Sequence, residues 1–171
     1  MANPIRGMVL SFLVVGAVIA TIMILAYRPA PPRIKAIDYG PALNSARATG
    51  AFPVAAPVSV PAGWQATSVR YVPSALDPKI ATWHLGFITP TEQYAAVDQS
   101  NGSDPKFVKD ATAQGRKAGI QQIGDTTWTQ YEAASGGNRS LVSKTGPITT
   151  VVTGTLSYDQ LAAFSQSLRA T

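Results

Sequence analysis

A chain of 171 residues with no cysteine and one histidine excludes disulfides, thiol chemistry and any cysteine or multi-histidine metal site. Its net charge of +5 does not mark a nucleic-acid binder: residues 1–35 hold four basic groups and no acid, while ten basic and nine acidic groups leave the remainder nearly neutral. No basic stripe with interleaved aromatics appears there, so the electrostatic footprint of a DNA or RNA partner is missing.

After a tip of residues 1–7, residues 8–27 form an apolar run without a charge. At about 1.5 Å per residue, a helix of this length covers about 30 Å, the hydrocarbon thickness of a bilayer. A cleaved signal peptide has a shorter apolar region, about 7–15 residues, and a small-residue exit. This run exits through Tyr27-Arg28-Pro29-Ala30-Pro31-Pro32. A buried core helix seldom lacks a polar stripe over such a length. The reading is a retained transmembrane helix in contact with the lipid bilayer. Gly16 and Ala20 give it a small-xxx-small pair, which would allow a homo-oligomer.

Arg6 precedes the span, and Arg28, Arg33 and Lys35 follow it. Charge counting alone would leave the C-terminal side in the cytoplasm, but long domains translocate largely regardless of that bias. Residues 28–60 are weakly charged and rich in Ala and Pro, with Pro29, Pro31, Pro32, Pro41, Pro53 and Pro57. Proline fixes φ and removes donors, so an extracytoplasmic stalk is expected, reaching roughly 100 Å if fully extended. Residues 41–48 suit a short helix, with Pro41 in its first turn and Leu43 and Ala46 on one face. Such a helix would pack back on the domain and shorten the reach. The expected orientation is a cytoplasmic N-terminus with the distal domain outside.

Residues 61–171 have the size of one domain. Residues 64–72 read as a strand, rich in β-branched and aromatic residues. In residues 80–89, Trp83, Leu85 and Phe87 alternate with His84, Gly86 and Ile88, which places the first three on a core face. Pro90-Thr91-Glu92 turns the chain into a third strand at 94–99, a hairpin. Ser103 or Asp104 caps a helix that opens with Pro105 and runs to about Gln114, with Phe107, Val108 and Ala111 inward. Strands follow at 120–123, 126–133, 140–144 and 148–155. Ser157-Tyr158-Asp159-Gln160 is a capping box opening a last helix with Leu161, Phe164 and Leu168 on one stripe. The fold class is α+β: a mostly antiparallel sheet covered on one face by two helices.

No constellation reads as catalytic, cofactor-binding or metal-ligating. His84 faces away from the core, and no carboxylate lies within sequence reach to orient it as a base. Asp98, Ser100, Asn101 and Asp104 surround Gly102, but counting from Asp98 puts glycine fifth and Lys109 at the twelfth place, the wrong register for a calcium loop. Ser135-Gly136-Gly137-Asn138 lacks the strand-to-helix context of a nucleophile elbow or phosphate loop. Gly115-Arg116-Lys117-Ala118-Gly119 reads as a solvated loop. Trp64, Trp83 and Trp128, with Tyr71, Tyr94 and Tyr131, suit a core, with a ligand groove as the other use.

Pro61-Ala62-Gly63-Trp64, Trp83-His84-Leu85-Gly86-Phe87-Ile88-Thr89-Pro90, Gly124-Asp125-Thr126-Thr127-Trp128 and Val151-Val152-Thr153-Gly154-Thr155 follow the N-terminal span. Together they resemble an actinobacterial family of small membrane-anchored proteins, domain of unknown function 4245. The resemblance implies a Gram-positive cell-envelope setting with the domain outside. It brings no catalytic residues.

The expected function is a non-enzymatic, membrane-anchored envelope protein, an interaction or accessory subunit with a membrane or envelope protein as partner. One alternative is a binding module for a lipid, glycan or peptide in a groove between sheet and helices. The other is a hydrolase with carboxylates converging from among Asp77, Glu92, Asp98, Asp110, Asp125, Glu132 and Asp159.

Overall fold

A computed structural model describes residues 4–26 and 35–170. The chain divides into two units, Met1–Ile34 and Lys35–Thr171. In the first, helix α1 runs Pro4–Ala26, 23 residues. Among the described residues, no helix is long and apolar enough to cross a membrane. The transmembrane helix expected over 8–27 thus gains no support from them, and Tyr27 lies outside them.

The second unit holds helices α2 (Gly40–Thr49), α3 (Pro105–Ala111) and α4 (Tyr158–Ser167). Its strands are β1 (Ala55–Pro57), β2 (Gln65–Pro73), β3 (Ala81–Ile88), β4 (Tyr94–Ser100), β5 (Arg116–Ile123), β6 (Thr126–Glu132), β7 (Arg139–Thr145), β8 (Ile148–Gly154) and β9 (Leu168–Ala170). Seven strands form one antiparallel sheet in the order β2-β3-β4-β8-β7-β6-β5. Two meanders, β2-β3-β4 and β5-β6-β7-β8, therefore join edge to edge at β4 and β8. The α+β class and the antiparallel pairing follow the sequence reading.

Alternation in β3 sets the two faces of the sheet. Trp83, Leu85 and Phe87 are buried and meet Val97, Leu141 and Val152 from neighbouring strands. Leu161 and Phe164 of α4 close over them, and the serine-glutamine capping box that starts α4 is complete. Each buried Leu or Phe contributes about 1.5–3 kcal/mol through removal from water.

Residues 35–60 do not form the extended stalk that their composition predicts. Residues 28–34 lie outside the described ones, and the rest belongs to the folded unit. Pro41 sits in the first turn of α2, and Gly50, at φ 68°, ends it in the left-handed region. Leu43, Ala46, Phe52 and Val54 enter the core. β1 then pairs with β9 at the C-terminus. Its other edge is met by buried side chains: Gln99 Oε1 accepts from Ala55 N at 2.6 Å, and Trp83 Nε1 donates to Ala55 O at 3.0 Å. Proline dictated local extension, but it did not prevent the apolar residues between the prolines from finding the core.

Two further elements differ from expectation. Gly115 to Gly119 is not a loop: β5 begins at Arg116, with a bulge between Lys117 and Gly119 where it pairs with β6. α3 ends at Ala111 and buries none of its residues. Instead of joining α2 and α4 over the core, its Phe107 and Ala111 line a cleft together with His84 and Asp98.

Candidate functional site

The face of the sheet opposite the core carries His84. In the β3–β4 hairpin, His84 stands directly across from Asp98, and on the other side β3 pairs with β2, where Ser68 lies opposite Gly86. His84 Nδ1 is 2.7 Å from Asp98 Oδ1, and His84 Nε2 is 2.8 Å from Ser68 Oγ. Three adjacent strands thus build a hydroxyl–imidazole–carboxylate chain.

The direction of its protons follows from donor inventory. A carboxylate only accepts, so Nδ1 carries the hydrogen and donates to Asp98. A neutral imidazole then has a lone pair at Nε2, which accepts from the Ser68 hydroxyl. The histidine and aspartate side chains retain 25% and 17% of their accessible surface, so the pair sits at the boundary of solvent.

Gly86 makes the convergence possible. A Cβ at this position would collide with Ser68 Oγ and lie 2.7 Å from the Tyr94 hydroxyl. The missing side chain leaves room for both hydroxyls beside His84, and Tyr94 Oη lies 3.5 Å from Nε2. Burial raises the Tyr94 pKa above the usual 10.0, the Asp98 charge adds to that, and the hydrogen bond with Ser68 works against them. Tyr94 therefore stays protonated, and a donor, at neutral pH.

Beside the His84–Asp98 pair opens a cleft of about 590 Å3, floored by Arg70, Val72 and Thr82 and bordered by Phe107, Asp110 and Ala111 of α3. Asp98 and Asp110, both among the candidate carboxylates, share this cleft. Asp98 is bonded to His84, and Asp110 accepts from Gln114 Nε2 at 3.1 Å.

The other polar candidates are committed to local structure. Asn101 accepts from Ala81 N at 2.9 Å and donates to Lys79 O at 2.7 Å. Ser100 Oγ accepts from Gly102 N at 3.0 Å, and Asp104 caps α3 by accepting from Lys106 N at 2.8 Å. Gly136 and Gly137 turn the β6–β7 hairpin at φ 75° and 84°. Arg139 lies over the Tyr158 ring at 5.9 Å.

The aromatic residues divide. Trp83 and Trp128 are core, at 1% and 7% exposure. Trp64 is half-buried, stacks near Phe164 at 5.4 Å, and lines a second opening of about 340 Å3. Pro61, Pro90, Leu156, Ala163 and Phe164 make up most of its apolar wall, and among the described residues no titratable side chain lines it.

The alternation of β3 puts His84 on the face where the structure has it, but its neighbours in sequence give it no partner. In the sequence Asp98 stands out only in the calcium-loop pattern and among several acids, Tyr94 only among the aromatic residues of a core or groove, and Ser68 carries no signal of its own. The signal for Asp98 was present in the expected hairpin: residues equidistant from Thr91 pair, and 84 and 98 are such a pair.

A family model described as "Protein of unknown function (DUF4245)" matches residues 1–168. No curated protein matches the chain. With nearly its whole length matched, the chain belongs to the DUF4245 family, as its Pro-x-Gly-Trp and Leu-Gly-x-x-Thr-Pro elements implied.

Proposed function

We propose that this is a single-pass protein of an actinobacterial cell membrane that holds a ligand-binding head outside the cell. The uncharged run over 8–27 supports a tether, and the helical backbone of Pro4–Ala26 is compatible with one. The near-neutral composition of residues 36–171 fits a head that meets an envelope component rather than a nucleic acid. In this reading the head serves as an accessory or interaction subunit alongside a membrane or envelope protein, with homo-oligomer contact available through Gly16 and Ala20.

The observation that carries the binding role is the groove beside Trp64. Its apolar walls are proline, leucine, alanine, phenylalanine and indole, and Thr89, Thr91, Gln93, Gln160 and Ser167 supply uncharged polar groups. A concave apolar surface with a few polar groups is the usual form of a small-molecule site. Among the described residues no charged group lines the groove, which favours an acyl chain of a lipid over a phosphate or a charged peptide.

Tryptophan emission tests this in the full chain held in detergent. Trp64 is the tryptophan that lines the groove, and the other two are buried. A brominated fatty acid should quench Trp64 saturably, and Ala163→Phe, which fills the groove, should abolish the saturable part. Quenching that Ala163→Phe leaves unchanged, or none at all, contradicts the acyl-binding reading.

A further inference from the structure

We infer that Ser68, His84, Asp98 and Tyr94 form an acyl-transfer site that hydrolyses carboxylic esters whose body fits the cleft beside α3. This is independent of the groove, which lies with α4 on the core side of the sheet.

Three features carry the inference. The first is the unbroken chain Ser68 Oγ–Nε2 at 2.8 Å and Nδ1–Asp98 Oδ1 at 2.7 Å, a nucleophile, a base and a group that orients the base. The second is Gly86. Glycine within a strand weakens it and marks a close approach, and what approaches here is the pair of hydroxyls at Nε2. A merely solvated surface histidine would need neither. The third is the cleft of about 590 Å3 whose lining includes Arg70, His84 and Asp98; Ser68 and Tyr94 stand at its end rather than in its wall, Ser68 two residues before Arg70 on the same strand, so an ester lying in the cleft would present its carbonyl at that end.

The chemistry closes with water as the only co-reactant. Ser68 Oγ attacks the ester carbonyl carbon while its proton moves to Nε2, forming the Oγ–C bond. The carbonyl electron pair moves onto its oxygen, where the Tyr94 O–H donates a hydrogen bond to the developing charge. Collapse of this adduct breaks the carbon–oxygen bond to the alcohol, which leaves with the proton from Nε2. Water then repeats the sequence on the acyl-serine, releasing the acid and restoring the Ser68 hydroxyl. Asp98 is a positioning residue: it holds Nδ1–H and stabilises the imidazolium that forms at each transfer.

The test is a fluorophosphonate probe and a nitrophenyl ester applied to the full chain in mild detergent, with circular dichroism melts on every variant. The expected result is a single phosphonylated residue, Ser68, and ester turnover that Ser68→Ala removes. His84→Ala should slow both labelling and turnover by roughly 10²–10⁴-fold. Asp98→Asn, which keeps the side-chain volume, should lower kcat far more than it alters KM, an effect that loss of a structural contact would not produce. Should His84→Ala unfold, Asp98→Asn and Ser68→Ala decide the matter. Failure to label Ser68, labelling at Ser68 that Asp98→Asn leaves at full rate, or turnover that survives Ser68→Ala overturns the inference.

Discussion

Tyr94 shows how a single side chain records its surroundings in a measurable quantity. Burial first, and the Asp98 charge second, make its proton harder to remove in the folded chain than in the unfolded one. A raised folded pKa adds stability that is complete below the unfolded value of about 10 and is lost as pH rises through the folded value. Denaturant unfolding across that alkaline window should therefore show a falling stability whose slope is shallower in Tyr94→Phe. Equal slopes for both proteins would mean that the hydroxyl is not in the environment described. Tyr158, whose pKa is also raised, chiefly by burial, remains in both and supplies an internal comparison. The same residue-level view explains why Gly86 is a glycine: the space a methyl group would take already belongs to Ser68 and Tyr94.

Among the elements, the segment over 35–60 carries the largest lesson. Its prolines were legible and so was the short helix they permit, since Pro41 and Gly50 punctuate α2 at its two ends. What composition could not convey is that β1 would find β9 more than a hundred residues away, with Gln99 and Trp83 completing its edge. Long-range pairing of three-residue strands leaves almost no periodic trace. Leu43→Ala tests the packing of α2: urea unfolding should show a loss of about 2–5 kcal/mol, the usual effect of emptying a buried leucine site. A loss below about 0.5 kcal/mol, the range of surface substitutions, would return the segment to an extended stalk. The β3–β4 hairpin was the opposite case. Its alternation and turn were readable, and with them the facing of 84 and 98. Ser68 was not readable, because a bulge between Ala66 and Ser68 shifts the β2 register by an amount no pattern announces.

Across the whole molecule, the chain falls into two units. The first supplies a 23-residue helix whose sequence from residue 8 to its last residue has no charge. The second supplies a seven-stranded sheet with an apolar groove on the core side and a hydrogen-bonded serine, histidine and aspartate on the other. Composition located the neutral head and the basic flanks of the apolar run, because charge is visible residue by residue. It left the site unread, because a site made by cross-strand neighbours exists only once the register is known. The proposed role requires that the head be held at a membrane and face outward. The most direct measurement is alkaline carbonate extraction of membranes from the native host, followed by external protease on intact protoplasts. Full-length chain should stay in the carbonate-resistant pellet, and the protease should remove the head, residues 35–171. Chain released into the carbonate supernatant, or a head protected until the protoplasts are lysed, would contradict the proposed role.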